Sequence, residues 1–111
     1  MTKKEMIEEL KGQRFTAGAE WFKENDPEML DWITGSEYWR RGFDEVPPEE
    51  TAVIRVEFGE CGVTYTATAN FEGIDVDQAL NNQSPWGENR WDDWEDADKE
   101  YIKKYYDALQ G

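Results

Sequence analysis

The chain has 111 residues, the size of one domain, with 12 Lys and Arg set against 26 Asp and Glu for a net charge of -14. Aromatic residues nevertheless make up 14%, six of them Trp, a load that argues against intrinsic disorder and for a folded core. The shortage of clustered cations excludes direct binding to DNA or RNA phosphates, and no run approaches the roughly 18 apolar residues of a membrane span.

In chain order, Thr2 to Lys11 reads as a short helix: Thr2 is placed to cap it, Met6, Ile7 and Leu10 share a face, and Gly12 is its stop. Phe15, Ala17, Ala19 and Trp21 then alternate with Thr16, Gly18 and Glu20, which is strand periodicity. Asn25-Asp26-Pro27-Glu28 has two readings. Asp26 as N-cap and Pro27 at the first helical position start a helix through Ile33, or the same residues turn the chain and Met29 to Thr34 returns as a strand. The helix is preferred because Met29, Leu30, Trp32 and Ile33 suit a helical face. Ser36 to Glu50 is irregular and carries the aromatic-basic cluster Tyr38-Trp39-Arg40-Arg41.

Thr51 to Phe58 places Ala52, Ile54, Val56 and Phe58 on one side, and after Gly59-Glu60-Cys61-Gly62 a second alternating run, Val63 to Phe71, completes an antiparallel hairpin. Glu72 to Arg90 is turn-rich, with one helical turn expected around Asp77 to Leu80. A terminal helix is expected from Trp91 to Leu109, with Trp94, Tyr101, Tyr105 and Ala108 at helical spacing. These elements define one α+β domain over residues 1–111. An antiparallel sheet of three or more strands carries a short N-terminal helix and a C-terminal helix packed on one face.

The chemistry the chain lacks narrows its function. There is no histidine, which removes the commonest general base and the commonest transition-metal ligand. No phosphate-binding glycine loop is present, and Asp75-Val76-Asp77 fails as a calcium loop because Ala79, Leu80 and Trp86 occupy its fifth, sixth and twelfth positions. Cys61 is the only cysteine and follows acidic Glu60 in an expected hairpin turn, so it reads as incidental. No catalytic residue, no metal and no cofactor is expected, and an enzyme is not. Met1 to Leu10 has no signal-peptide core and no internal disulfide can form, so the expected compartment is a reducing cytoplasm, that of the host cell if the chain is phage-encoded.

The acids are unevenly spread. Between Glu72 and Glu100 there are ten, opposed only by Arg90 and Lys99, a local net charge of -8. If the terminal helix begins at Trp91, Asp92, Asp96 and Glu100 stack at four-residue spacing. Each like-charge pair there costs roughly 0.2–0.5 kcal/mol. Four residues of helix advance about 6 Å, similar to the spacing of phosphates along a strand, so such a row can occupy cationic sites built for a nucleic-acid backbone. A solvated face that aids solubility gives the same composition. Trp86, in Ser84-Pro85-Trp86-Gly87, reads as an apolar anchor within a charged rim, the anatomy of a binding hot spot. Trp91 and Trp94 read as core residues of the last helix, and Arg40 and Arg41 as local neutralisers of neighbouring acids or part of a second contact patch.

In length, acidity and layout the chain resembles the small acidic anti-CRISPR proteins that phages and mobile elements deploy. The resemblance rests on the helix Lys3 to Lys11, a small sheet including Val53-Ile54-Arg55-Val56, and an acidic aromatic end from Trp91 to Leu109. It implies inhibition of a CRISPR effector or nuclease by carboxylates standing in for phosphates, and a basic nucleic-acid-binding protein as partner. On this reading the contact residues are Asp92, Asp93, Glu95, Asp96, Asp98 and Glu100, with Trp86 as anchor. Two alternatives are an immunity protein that neutralises a basic toxin nuclease and a carbohydrate-binding or scaffold domain using exposed Trp rings.

Overall fold

The computed structural model describes residues 2–35, 48–71, 73–81, 83–84, 87–88, 90–91 and 99–110. Helix α1 (Lys3–Leu10) begins with a capping box, in which the Thr2 hydroxyl accepts from the Glu5 amide and the Glu5 carboxylate accepts from the Thr2 amide. Its buried side is Met6, Ile7 and Leu10. Gly12 turns the chain at φ 85, a conformation open to glycine at little cost. Its amide donates to the Phe58 carbonyl at 2.6 Å, so the end of α1 is tied directly to the sheet.

Strand β1 (Arg14–Gly18) is shorter than its alternating pattern predicts. The chain leaves the sheet at Gly18 and enters helix α2 (Ala19–Asn25), where the Ala19 amide donates to the Ala52 carbonyl at 3.0 Å. Ala19 and Trp21 therefore belong to a helix, not a strand. The period changes at this point because Phe22, which alternation assigns to the polar side, is fully buried, while Glu20 and Lys23 reach solvent. Helix α3 (Pro27–Thr34) follows with Pro27 in its first turn and buries Met29, Leu30, Ile33 and Thr34. The helical reading of this segment holds, with one exception: Trp32 is 38% exposed. At about 100° per residue it lies well away from the stripe formed by Met29, Leu30 and Ile33.

After a single 3₁₀ turn (Glu49–Thr51), strands β2 (Val53–Phe58), β3 (Val63–Phe71) and β4 (Ile74–Asn81) join β1 in an antiparallel sheet of order β1-β2-β3-β4. The expected hairpin forms in register, Phe58 opposite Val63 and Val56 opposite Tyr65. The helical turn expected around Asp77 to Leu80 does not. Those residues pair with Tyr65 to Thr68 in β4, because Gly73 at φ 80 closes a tight link that sets Phe71 opposite Ile74. Two short strands, β5 (Gln83–Ser84) and β6 (Gly87–Glu88), pair with each other, and Gly62 then bridges Arg90.

Helix α4 (Lys99–Gln110) ends the chain. It lies on the sheet face formed by Ile54, Val56, Phe58, Val63, Tyr65 and Ala67, all at most 3% exposed. The ring of Tyr105 meets those of Phe15, Trp21, Phe58 and Tyr65 at centroid distances of 5.5–6.4 Å, so one side chain of α4 joins all the layers. The expected start of this helix at Trp91 is corrected in part. Trp91 continues the sheet bridge, its amide donating to the Cys61 carbonyl at 3.2 Å, and residues 92–98 lie outside the described set. No helix among the described residues is long and apolar enough to cross a membrane.

Replacing Gly73 with Ala should cost roughly 1 kcal/mol, because a Cβ disfavours its positive φ. A urea titration showing a lowered midpoint with an unchanged slope checks this. An unaltered midpoint would mean that the β3–β4 link does not depend on that conformation.

Candidate partner-binding surface and the buried Asp26 cluster

Asp26 was expected to cap α3. It occupies the cap position, but its side chain makes no capping bond. The carboxylate turns inward and is 3% exposed. Its Oδ2 accepts from the Tyr101 hydroxyl at 2.6 Å and from the Tyr105 hydroxyl, and the Tyr65 hydroxyl bonds Tyr101 at 2.9 Å. With Tyr101 donating to Asp26, its oxygen accepts from Tyr65. The proton order is therefore Tyr65 to Tyr101 to Asp26, with Tyr105 entering from the other side. Three buried hydroxyls and a carboxylate satisfy one another, as polar groups in a low-dielectric interior must.

Burial pushes the phenols of Tyr65, Tyr101 and Tyr105 well above the ordinary tyrosine range, and the negative charge of Asp26 adds to the shift. The cluster reads as structural, because its hydrogen bonds join the α2–α3 joint, β3 and α4. Sequence reasoning missed it, although Tyr101 and Tyr105 at four-residue spacing on one helix face were a usable signal.

Of the residues singled out as a partner surface, Glu100 alone is described. It is exposed in the first turn of α4, but Lys103 and Lys104 follow at three and four residues, so the acidic stripe does not continue along the helix. Lys103 pairs with Asp107 at 2.6 Å and Lys104 lies 5.8 Å from the Tyr101 ring centroid. Asp92, Asp93, Glu95, Asp96 and Asp98 lie outside the described residues, as do Trp86, Trp94 and the cluster Tyr38 to Arg41. Ser84 is paired with Gly87.

Trp91 is a core residue, as expected, but it is fixed to the β2–β3 turn. Its indole N–H donates to the Gly59 carbonyl at 2.7 Å, and its ring stacks on Phe58. Further exposed acids lie on α2 (Glu20 and Glu24) and on α3, where Glu28 stands one turn before Trp32 and Asp31 precedes it directly. Lys23, on α2, pairs with Glu49 at 3.2 Å and Glu50 at 3.3 Å, which raises its own pKa.

Cys61 is exposed. Among the described residues no group of three potential ligands could hold a metal ion. No family model matches the chain, and comparison with curated proteins and with solved structures finds no match.

The tyrosine cluster gives a signed pH dependence. The folded pKa values lie above the unfolded value of about 10. The stabilisation is therefore complete below pH 10 and is lost as pH rises above it, by up to about 1.4 kcal/mol per unit for each phenol. Alkaline unfolding should coincide with tyrosinate absorbance. Tyr105→Phe should lessen the steepness, and Asp26→Ala should cost about 3 kcal/mol at neutral pH by leaving buried hydroxyls without an acceptor. Phenols that ionise near pH 10 while circular dichroism stays native would refute the burial argument.

Proposed function

We propose that the protein is a non-enzymatic inhibitor of the anti-CRISPR or anti-defence type. It binds the positively charged nucleic-acid groove of a CRISPR effector or nuclease through carboxylates and so blocks DNA binding. The observation that carries this reading is the charge distribution: ten acids from Glu72 to Glu100 against Arg90 and Lys99. Elsewhere the described cations Lys11, Lys23, Arg55 and Lys103 are each paired with nearby acids. They are committed locally and do not offset the excess in the tract. The partner is a basic nucleic-acid-binding protein, and the compartment is the reducing cytoplasm of the cell that contains it.

The contact surface is centred on Asp92, Asp93, Glu95, Asp96, Asp98 and Glu100, with Trp86 as aromatic anchor. Trp32 beside Glu28 and Asp31 supplies the same chemistry, an apolar ring in an acidic rim, and extends the surface to α3. Long-range attraction speeds encounter with a cationic groove, while desolvated aromatics slow release.

A tagged pull-down from lysates containing candidate effectors should retain a basic nuclease at low salt and lose it to competing DNA. Replacing Asp92, Asp96 and Glu100 with Lys should abolish inhibition, leaving the fold intact or more stable as like-charge repulsion falls. Full inhibition by that triple variant would end the mimicry reading for this face.

A further inference from the structure

The indole of Trp21, on α2, is half-buried, and its ring meets those of Phe15, Phe22 and Tyr105 at centroid distances of 4.5, 4.9 and 5.5 Å. A phenylalanine ring is far harder to oxidise than an indole or a phenol. Of these three neighbours, Tyr105 is therefore the one that can return an electron to an oxidised indole. Tyr105 is 1% exposed, and its hydroxyl donates to Oδ2 of Asp26, itself 3% exposed. A phenol that loses an electron becomes a strong acid, and a dry interior offers its proton no water to enter. A carboxylate already hydrogen-bonded to the hydroxyl takes that proton without movement of heavy atoms.

We propose that Trp21, Tyr105 and Asp26 form a built-in path for one-electron oxidation, in addition to the structural role of the cluster. A one-electron oxidant, such as a small inorganic radical, takes an electron from Trp21 and leaves the indole radical cation. One electron then passes from the Tyr105 phenol to that indole. The phenol O–H bond breaks as a new O–H bond forms at Asp26 Oδ2. The products are a neutral indole, a neutral phenoxyl radical and a neutral carboxylic acid, so the step removes a buried charge, which a low-dielectric interior favours. The new acid donates back to the Tyr105 oxygen, so the hydrogen bond survives with its polarity reversed. Tyr101 donates to the same Oδ2 at 2.6 Å and holds the carboxyl group in place throughout. The radical thereby moves from a side chain that reaches solvent to one that does not. This path is independent of the proposed function and needs no partner protein.

Pulse radiolysis of the intact chain with the azide radical, which oxidises indoles in preference to phenols, tests the path by transient absorption. In the wild type, a fast phase independent of protein concentration should convert indolyl into phenoxyl radical. That phase should slow several-fold in heavy water, because a proton moves with the electron. Trp21→Phe and Tyr105→Phe should each remove it while circular dichroism stays native. Asp26→Asn, which keeps the side-chain shape and lowers its basicity, should slow it several-fold. The same phase at wild-type rate and amplitude in Tyr105→Phe would overturn the path, since another of the chain's tyrosines would then be the donor. An equal rate in light and heavy water would overturn the part given to Asp26, and that measurement uses the wild-type protein, so it stands whether or not Asp26→Asn folds.

Discussion

The structure depends on the contact between one carboxylate and the hydroxyls of the last helix. Asp26 sits at the joint of α2 and α3, Tyr101 and Tyr105 on α4, and Tyr65 near the start of β3, so the cluster ties together parts of the chain up to 79 residues apart. The ring of Tyr105 lies among Phe15, Trp21, Phe58 and Tyr65, which makes its position both an apolar and a polar requirement. A phenylalanine there would keep the packing and lose the acceptor match. A misplaced α4 would leave Asp26 buried without donors, a cost of several kcal/mol. Hydrophobic burial supplies most of the driving force, and the directional bonds select one placement of α4 from many that bury similar area.

The second constraint is charge. A net charge of -14 opposes compaction. Among the described side chains the acids other than Asp26 lie on exposed or half-buried positions, and several cations pair with them locally. Lys23 gathers Glu49 and Glu50 below α2, Arg55 takes Glu57 along β2, and Lys103 takes Asp107 along α4. Such exposed pairs contribute little each. Their effect is to lower repulsion locally, along β2 and α4 and between α2 and the 3₁₀ turn.

Much of the fold was legible because its signals were local. The capping residues of α1, the alternation of β2 and β3, and Pro27 at the head of α3 each follow from a few neighbouring residues. The misreadings share a different cause. Ala19 and Trp21 continue the alternation of β1, and only the burial of Phe22 against Phe15 and Tyr105 decides for a helix. Asp77 to Leu80 is polar enough for a turn and becomes a strand because β3 offers a long unpaired edge and Gly73 permits the reversal. Asp26 reads as a cap from sequence because nothing local announces two tyrosines arriving from the chain's end. The candidate surface was legible as composition, and Glu100 is its one described member. The outward turn of Trp32 could have been read from a helical wheel.

The buried hydrogen bonds that fix α4 also bear on the exposed charge. Glu100 stands in the first turn of a helix whose placement the Asp26 cluster selects, and Trp91 is held to the β2–β3 turn through its indole bond to the Gly59 carbonyl. Ordering costs on binding fall when an element is already held, since backbone entropy of about 1–2 kcal/mol per residue has been surrendered in folding. A carboxylate on such an element meets a cationic groove in one arrangement, whereas a free acidic tail would have to be ordered by its partner.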